Sequence, residues 1–526
     1  MGSLSLSSGT LVIRADAFSR IGTGHIMRCF ALAQAWQLEG GHIVFLSHCE
    51  SDALRQRITG AGMELIPIAN PQPDPRDLQT TLEVLRTRSA KARENLQLEI
   101  GNPTWLVLDG YHFDPAYQNV VRMAGHRLLV VDDMGHLPAY HADILLNQNL
   151  GAEKINYNCD PDTNLLLGSR YALLRQEFLA WRGWQREIPD VAHKVLVTMG
   201  GGDPDNVTLK VIRALEQVQV DELEAVVVVG DDNPHLDILQ SAIRSRQSKI
   251  RLVCNARNMS ELMAWADLAV TAGGSTCWEL ALMGLPSVVL VLSENQRAIA
   301  EDLESTGISI NMGWHAFVQA DNIAYQLRSI ILSSERRRNM SNCGRLLVDG
   351  YGPLRVLRLM RGDELTLRSL QSTDCRLLWE WANDPITRAQ SFSTEKIIWE
   401  NHVFWFKSIQ ADASILYYIA VDKNGVPAGQ IRFQVDRQEA VISVSVAPEQ
   451  RGRGYGAEII RLGTRKLWTT TQIKIIHAYI KKDNSASVQA FVKAGFVYAG
   501  LIEIHGSLAL HYILRKDDDH ENSVSN

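Results

Sequence analysis

A histidine in this chain stands where a folded protein would hold an anion. The stretch Ile21-Gly22-Thr23-Gly24-His25-Ile26-Met27-Arg28 follows an apolar run, Leu11 to Ile13, closed by Arg14-Ala15-Asp16. It opens a second apolar pattern, Ile26, Phe30, Ala33 and Trp36, that Gly40-Gly41 ends. That order reads as strand, glycine turn and helix. Such a crest brings unsatisfied backbone N–H groups and the positive end of a helix dipole to one point, where anions bind. His25 lies in the first helical turn, within reach of whatever the loop holds; a histidine there can equally pack or cap. Two further glycine turns could hold phosphate. One is Gly200-Gly201-Gly202-Asp203-Pro204, and the other is Ala272-Gly273-Gly274-Ser275-Thr276, which opens a helix from Cys277 to Met283. Glycine allows close backbone approach, and Glu279, one turn into that helix, is placed to accept both hydroxyls of a ribose. Either loop alone also reads as an ordinary tight turn between strand and helix. Far along the chain, Arg451-Gly452-Arg453-Gly454-Tyr455-Gly456 forms R-x-x-G-x-G at a strand-to-helix junction, a cradle for a pyrophosphate with two arginines beside it. A dinucleotide fingerprint at Gly22-x-Gly24 fails, because Met27 stands where a small residue is required.

Positioning these residues takes several domains. At 526 residues the chain has room for roughly three or four of ordinary size, each with its own core. The first half alternates strand and helix patterns, with strand-like runs at His42–Ser47, Trp105–Asp109, Leu128–Asp132 and Ile144–Asn147. A proline-rich loop, Pro71–Pro75, precedes a long charged helix reaching about Glu99. A second α/β unit follows the stretch Trp181–His193, with strands at Lys194–Met199, Ala225–Val229, Leu268–Thr271 and Pro286–Leu292. Continuous apolar runs of this kind belong inside parallel sheets, and two such units in tandem make a cleft between them. After about Asp363 the rhythm changes to β-rich runs, Tyr417–Val421, Gly429–Val435 and Ala440–Val446, an antiparallel meander. The expected divisions are 1–185, 186–360, 363–516 and a disordered tail at 517–526.

Composition excludes several classes. A net charge of −6 with no basic stripe argues against nucleic acid as a partner. The seven cysteines contain no C-x-x-C pair, so neither a disulfide framework nor a zinc site is expected, and no metal is predicted. The first residues lack the basic segment of a secretory signal, and no apolar run reaches membrane-spanning length. The expected location is the cytoplasm, with no membrane partner.

Several motifs in fixed order carry a resemblance. They are Arg14-x-Asp16, Gly22-Thr23-Gly24-His25-x-Met27-Arg28, Leu108-Asp109-Gly110-Tyr111, Val131-Asp132-Asp133, Leu146-Asn147-Gln148-Asn149, Tyr171-Ala172-Leu173-Leu174-Arg175, Ala272-Gly273-Gly274-Ser275 through Glu279, Asn295-Gln296 and Asp349-Gly350-x-Gly352. From about Leu11 to Leu357 the chain resembles the UDP-sugar hydrolases of pseudaminic acid biosynthesis, which release UDP from UDP-2,4-diacetamido-2,4,6-trideoxy-β-L-altropyranose. That resemblance implies an α/β fold of two Rossmann-like domains in the GT-B arrangement. It also implies that His25 is the catalytic histidine, that Tyr111 lies near the reacting sugar, and that Gly273, Gly274, Ser275 and Glu279 hold UDP. Arg14, Asp16, Gly22, Gly24, Gly201, Gly202, Asn295 and Gln296 complete the expected UDP-sugar site. The chemistry asked of such a site is to hold a departing diphosphate with backbone dipoles and to deprotonate one water, giving a metal-independent reaction with inversion.

The glycine turn at Arg451 is followed at the usual distance by Asn484-x-x-Ser487 and Phe491-Val492-Lys493-Ala494-Gly495-Phe496, and this segment resembles the GNAT N-acetyltransferases. That implies acetyl-CoA as co-substrate, held by Val446, Arg451, Gly452, Arg453, Gly454, Gly456, Asn484 and Phe491. Trp381-Ala382-Asn383-Asp384-x-x-x-Arg388 and His402-x-x-Trp405-Phe406 are similar to the pathway's UDP-4-amino-sugar acetyltransferase, implying an amino-sugar site at Asn383, Arg388, His402 and Trp405. Each of these aromatic residues could instead be plain core. The expected function is a bifunctional enzyme acting on UDP-sugars. Alternatives are a GT-B glycosyltransferase fused to an acetyltransferase, or a nucleotide-sugar-binding regulator with a protein-modifying GNAT domain. Many GNAT enzymes carry a tyrosine proton donor where this chain has Phe491, which has no proton to give; Tyr498 and His505 are nearby substitutes. Phe491→Leu is therefore expected to keep substantial acetyl transfer, whereas Gly454→Val should nearly eliminate it by blocking backbone approach to a pyrophosphate. Acetyl-CoA consumption by the two variants is the measurement.

Overall fold

A computed structural model describes residues 9–18, 21–70, 74–94, 104–201, 203–230, 233–244, 249–361, 365–422, 425–504 and 506–516. Gly202, His505, part of the proline-rich loop, the end of the charged helix and the 517–526 tail lie outside the described residues. The chain divides into two compact units, Met1–Leu357 and Arg358–Asn526.

The first unit contains two parallel sheets. Strands β1 (Thr10–Ala15), β2 (His42–Ser47), β3 (Glu64–Pro67), β4 (Trp105–Asp109), β5 (Arg127–Val131), β6 (Ile144–Asn147) and β7 (Asn164–Leu167) form a sheet in the order β3-β2-β1-β4-β5-β6-β7. Every pairing in it is parallel. Residues Leu11, Ile13, Phe45, Leu106 and Val107 are completely or almost completely buried, as a sheet covered on both faces requires. The chain reverses direction of travel between β1 and β4, so the carboxyl ends of those two strands open a crevice. The helix Gly24–Leu38 rises from that crevice and buries Ile26, Phe30, Ala33 and Trp36 against the sheet. Gly41 is forced by this packing: a Cβ there would lie 2.1 Å from the Trp36 indole.

Strands β8 (Lys194–Thr198), β9 (Glu224–Val229), β10 (Lys249–Cys254), β11 (Leu268–Ala272), β12 (Ser287–Val291) and β13 (Ser309–Trp314) build the second sheet in the order β10-β9-β8-β11-β12-β13, again all parallel. Its crevice opens between β8 and β11, where the glycine turns after Thr198 and Ala272 lie. In these two parallel sheets the strands that periodicity does not reveal are β3, β7, β10 and β13, and these are their four edges. Their side chains are largely half-buried or exposed, so no continuous apolar run marks them.

In the second unit, β14 (Thr366–Ser369), β15 (Ile415–Val421), β16 (Pro427–Asp436) and β17 (Glu439–Val446) form an antiparallel meander. The sheet continues through β18 (Ile475–Lys481) and β20 (Ser507–Arg515) to β19 (Val497–Ile504). Alternation along β15 serves two cores: Tyr418 and Ala420 face the helix Tyr455–Thr470, while Tyr417, Ile419 and Val421 face Leu378, Trp381 and Phe406. Strands β17 and β18 pair in parallel only at Glu439–Val441 with Ile475–His477 and then part. Among the described residues, no helix is long and apolar enough to cross a membrane.

Arg358, at the start of the second unit, lies 4.0 Å from the centroid of the Tyr455 ring and donates to the Arg453 carbonyl at 2.7 Å. A cation over an aromatic ring is worth about 0.5–2 kcal/mol. A fragment beginning at Leu365 is accordingly expected to melt roughly 2–4 °C below one beginning at Gly352 for each kcal/mol lost, as read by circular dichroism.

Candidate active sites

His25 is held by a buried carboxylate on the far side of the first crevice. Its Nδ1 lies 2.6 Å from Asp109 Oδ1 at the end of β4, so the ring donates from Nδ1 and keeps Nε2 as an acceptor. Asp109 is itself clamped by Arg28, whose Nε and Nη2 each donate at 2.7 Å, and by the Cys29 thiol at 3.3 Å. Burial opposes ionisation of Asp109, but the charges of Arg28 and His25 overcome it and hold the carboxyl below its usual range. Arg28 also donates from Nη1 to Asp133 at 2.7 Å, and Asp133 accepts from Tyr111 and Asn149, both at 2.8 Å. The Tyr111 ring meets the His25 ring edge-on at 5.3 Å. Burial and the neighbouring Asp133 push the Tyr111 hydroxyl well above its ordinary pKa, so it remains a proton-bearing donor. An imidazole oriented by a carboxylate is the arrangement that accepts a proton from a positioned hydroxyl or water.

The second half of the unit closes on this network. Asn295 donates to the Tyr111 hydroxyl at 2.9 Å. A Cβ on Gly201 would lie 3.0 Å from Thr23 Oγ1, which brings the glycine turn after β8 against the turn that carries His25. After β11, the Gly273 N–H donates to Gln296 Oε1 at 3.2 Å, and the same oxygen takes the Leu292 N–H at 3.0 Å. A Cβ on Gly273 would crowd Gln296 at 3.1 Å. Gly274 and Ser275 lead into the helix Thr276–Leu282, and Glu279 on that helix is 12% exposed with Oε1 engaged by Arg175 Nε at 3.0 Å.

In the second unit, a cavity of about 430 Å³ opens beside β16 and β17. Trp381, Trp405 and Tyr417 supply aromatic walls; Arg388, Arg432, His402, Gln430, Ser443 and Ser445 supply the polar ones, and no carboxylate lines it. Gln430 faces Ser445 and Arg432 faces Ser443 across the strand pair. The Arg432 guanidinium lies 5.8 Å from the Trp405 ring centroid. His402 donates from Nε2 to the Cys375 carbonyl at 2.8 Å. That fixes a tautomer whose Nδ1 can accept, and burial lowers the ring's pKa so that it is neutral at pH 7. The strand β17 also runs past this cavity to the Arg451 turn, where Gly452 and Gly454 take φ of 75° and 77° and Gly454 starts the helix Tyr455–Thr470. Parting of β17 from β18 leaves the backbone at Ile442–Val446 without a strand partner on that side. Among the described residues, no cluster of three or more His, Cys, Asp or Glu could hold a metal ion.

Family models match a part of each unit. Residues 195–346 match the glycosyltransferase family 28 C-terminal domain, and residues 364–497 match the acetyltransferase (GNAT) domain. A Bacillus subtilis spore coat polysaccharide biosynthesis protein, SpsG, is 27% identical over 45% of this chain and 69% of its own length. The Helicobacter pylori pseudaminic acid cytidylyltransferase and UDP-2,4-diacetamido-2,4,6-trideoxy-beta-L-altropyranose hydrolase is 26% identical over 40% of this chain, which spans only 38% of that protein. The chain is a fusion of hydrolase-like and acetyltransferase parts. Its fold is α/β, with two Rossmann-like halves in the GT-B arrangement followed by a GNAT domain. An uncharacterized protein of Methanocaldococcus jannaschii is 23% identical over 92% of this chain and 96% of its own length.

Several expected ligand contacts are engaged elsewhere. In the hydrolase-like part, Arg14 is fully buried, with Nε on Asp77 and its other nitrogens on Asp16 and Asp77. It secures the end of β1; Asp16 spends Oδ1 on the His48 N–H at 2.8 Å. Gly22 turns with φ of 73°, and Gly24 begins the helix. In the acetyltransferase part, Asn383 brackets Ile397, accepting its N–H at 2.8 Å and donating to its carbonyl at 3.0 Å, so it clamps a loop and is absent from the cavity wall. Arg388 donates to the carbonyls of Ala382 and Ser393 while lining the cavity. Phe491 packs on Phe496 in the domain core, 5% exposed. Asn484 caps its helix through Ser487 N–H at 3.1 Å. Arg451 donates to Asp384 at 2.5 Å and to Thr387 at 2.8 Å, and the Arg453 carbonyl takes Arg358. Val446 is half-buried, and Gly456 lies beside it in the first turn of the helix.

Asp109, Arg28, Asp133, Arg432, Ser443 and Ser445 carry no assigned role in the sequence reading. Their signal is there: carboxylates closing apolar strands, and polar residues at alternate strand positions. Arg28→Met would leave Asp109 and Asp133 buried without their cation, at an expected cost of about 3–5 kcal/mol in urea denaturation. Because folding holds Asp109 ionised below its ordinary 3.8, this stabilisation is present above that pH. It is lost as the pH falls below it, so the variant and the parent should converge in acid.

Proposed function

We propose that the chain is a bifunctional enzyme of nucleotide-sugar metabolism. Its acetyltransferase part transfers acetyl from acetyl-CoA to the amine of UDP-4-amino-4,6-dideoxy-N-acetyl-β-L-altrosamine. Its hydrolase-like part releases UDP from the product, UDP-2,4-diacetamido-2,4,6-trideoxy-β-L-altropyranose. The observation that carries the hydrolytic reading is the His25–Asp109 pair, facing Tyr111 and Asn295 where the two halves meet. The activity in the name of the Helicobacter pylori relative supports it.

In this reading His25 Nε2 takes a proton from water as the water oxygen attacks the anomeric carbon. The bond from that carbon to the diphosphate oxygen breaks, and UDP leaves with the electron pair. Asp109 stabilises the imidazolium without taking its proton, since Arg28 keeps the carboxylate ionised. At the turn Gly273–Ser275 the N–H groups of Gly273 and Gly274 are spent on Gln296 and Ala272, so the diphosphate is received by the Ser275 N–H at the start of the following helix, and Glu279 receives the ribose. For acetyl transfer, the residues fit a pantetheine diphosphate along β17 and the Gly452–Gly456 turn, where the parted strand offers unpaired backbone. Arg388 and Arg432 with aromatic walls suit an amine carried on an anionic, ring-bearing molecule. A carboxylate-free cavity disfavours a polyamine. His402 is the neutral group available to accept the amine's proton.

His25→Ala is expected to lower UDP release by about 10²–10⁴-fold while acetyl transfer stays near that of the parent. Mass spectrometry of UDP, free sugar and acetylated nucleotide, starting from the amino-sugar nucleotide and acetyl-CoA, measures both. Unchanged UDP release removes His25 from the reaction. Product that remains as acetylated UDP-sugar in the parent protein would overturn the hydrolase reading.

A further inference from the structure

A chain of half-buried and buried charges crosses between the halves of the hydrolase-like part and ends on Glu279. Arg57, on the helix Asp52–Gly60, donates to Glu177 Oε1 at 3.3 Å, and Glu177 also takes Arg175 Nη1. Arg175 then places both Nε, at 3.0 Å, and Nη2, at 2.9 Å, on a single oxygen, Oε1 of Glu279. Its guanidinium also rests 5.1 Å from the Phe178 ring centroid, and the side chain is 6% exposed. Signs alternate along the whole run from Arg57 to Glu279. The Glu279 Oε2 atom makes no hydrogen bond to a described residue, and with the side chain 12% exposed it stays open to a donor from outside the protein. Burial pushes the Glu279 carboxyl up, and Arg175 is the largest influence opposing it.

We propose that Arg175 is the positioning residue that makes Glu279 selective for ribonucleotides: by occupying Oε1 from two nitrogens it presents Oε2 alone to the sugar hydroxyls. This rests on the reading of Glu279 as the ribose acceptor. Arg175 itself touches no nucleotide. The sequence expectation that both carboxylate oxygens serve the ribose is thereby narrowed to one, with the other committed to the protein.

The test compares binding of UDP and 2′-deoxy-UDP to the full chain by isothermal titration calorimetry. The parent protein is expected to prefer UDP by about tenfold or more, the worth of one hydrogen bond to a charged acceptor. Arg175→Met should bring that ratio close to one while 2′-deoxy-UDP affinity changes by only a few fold, a pattern that general loosening of the site would not give. Arg175→Lys, which keeps the charge but not the two-nitrogen grip, should fall between. If Arg175→Met does not fold, the Arg175→Lys ratio decides alone: a ratio equal to the parent's overturns the proposal, and a lowered one supports it. Glu279→Gln separates the two readings. An unchanged ratio in that variant defeats the ribose assignment and the proposal with it. A lowered ratio there, with Arg175→Met at the parent value, keeps Glu279 as the acceptor and removes Arg175.

Discussion

Asp109 is a carboxylate in the interior of a sheet crevice, and the architecture of the first half is arranged so that it can stay charged. A lone buried anion would protonate or unfold the region around it. Here it receives two guanidinium N–H groups, an imidazole N–H and a thiol. These donors come from one helix face, His25, Arg28 and Cys29, while the acceptor comes from the strand across the switch point. The doubly wound strand order brings β1 and β4 together at this place, so topology and electrostatics impose the same geometry. Asp133 extends the arrangement to Tyr111, and Asn295 extends it to the other half.

In the two parallel sheets the central strands were legible because a strand covered on both faces must be apolar throughout, whereas β18 and β20, interior to the antiparallel sheet, were not. Edge strands were not, because half their side chains face water and their pattern dissolves into loop-like sequence. The same division runs through the site. His25 and its glycine turn announce themselves locally, within eight residues of chain, whereas its partner lies 84 residues away and has meaning only once the strands are laid side by side. Burial and local hydrogen bonds add what a motif does not show. Arg14 and Asn383 have the chemistry of ligand contacts, yet each spends its polar atoms on the protein. Phe491 sits at a position that many related enzymes give to a proton donor, and the fold uses it as core.

In the proposed function the two units hold a diphosphate with the same device on different scaffolds, a glycine turn between a strand and a helix. In the hydrolase-like part the turn sits at the carboxyl edge of a parallel sheet, where every strand end is available. In the acetyltransferase part only one strand junction is available, and the separation of β17 from β18 opens the sheet beside it. The positive φ of Gly452 and Gly454 belongs to that second solution.

The loop from Ser391 to Ile398 forms one wall of the acetyltransferase cavity, and its path is held chiefly through its backbone. Asn383 grips the amide and carbonyl of Ile397, Arg388 takes the carbonyls of Ser393 and Glu395, and Trp379 donates to Ile397 as well. Grips on peptide groups do not depend on which side chains the loop carries. The wall can therefore change its chemical character by substitution at Ile397 or its neighbours while its course stays the same. Recognition of the acceptor is thus separable from the stability of the fold, and descendants of this chain have a short segment in which new acceptors can be tried at little structural risk.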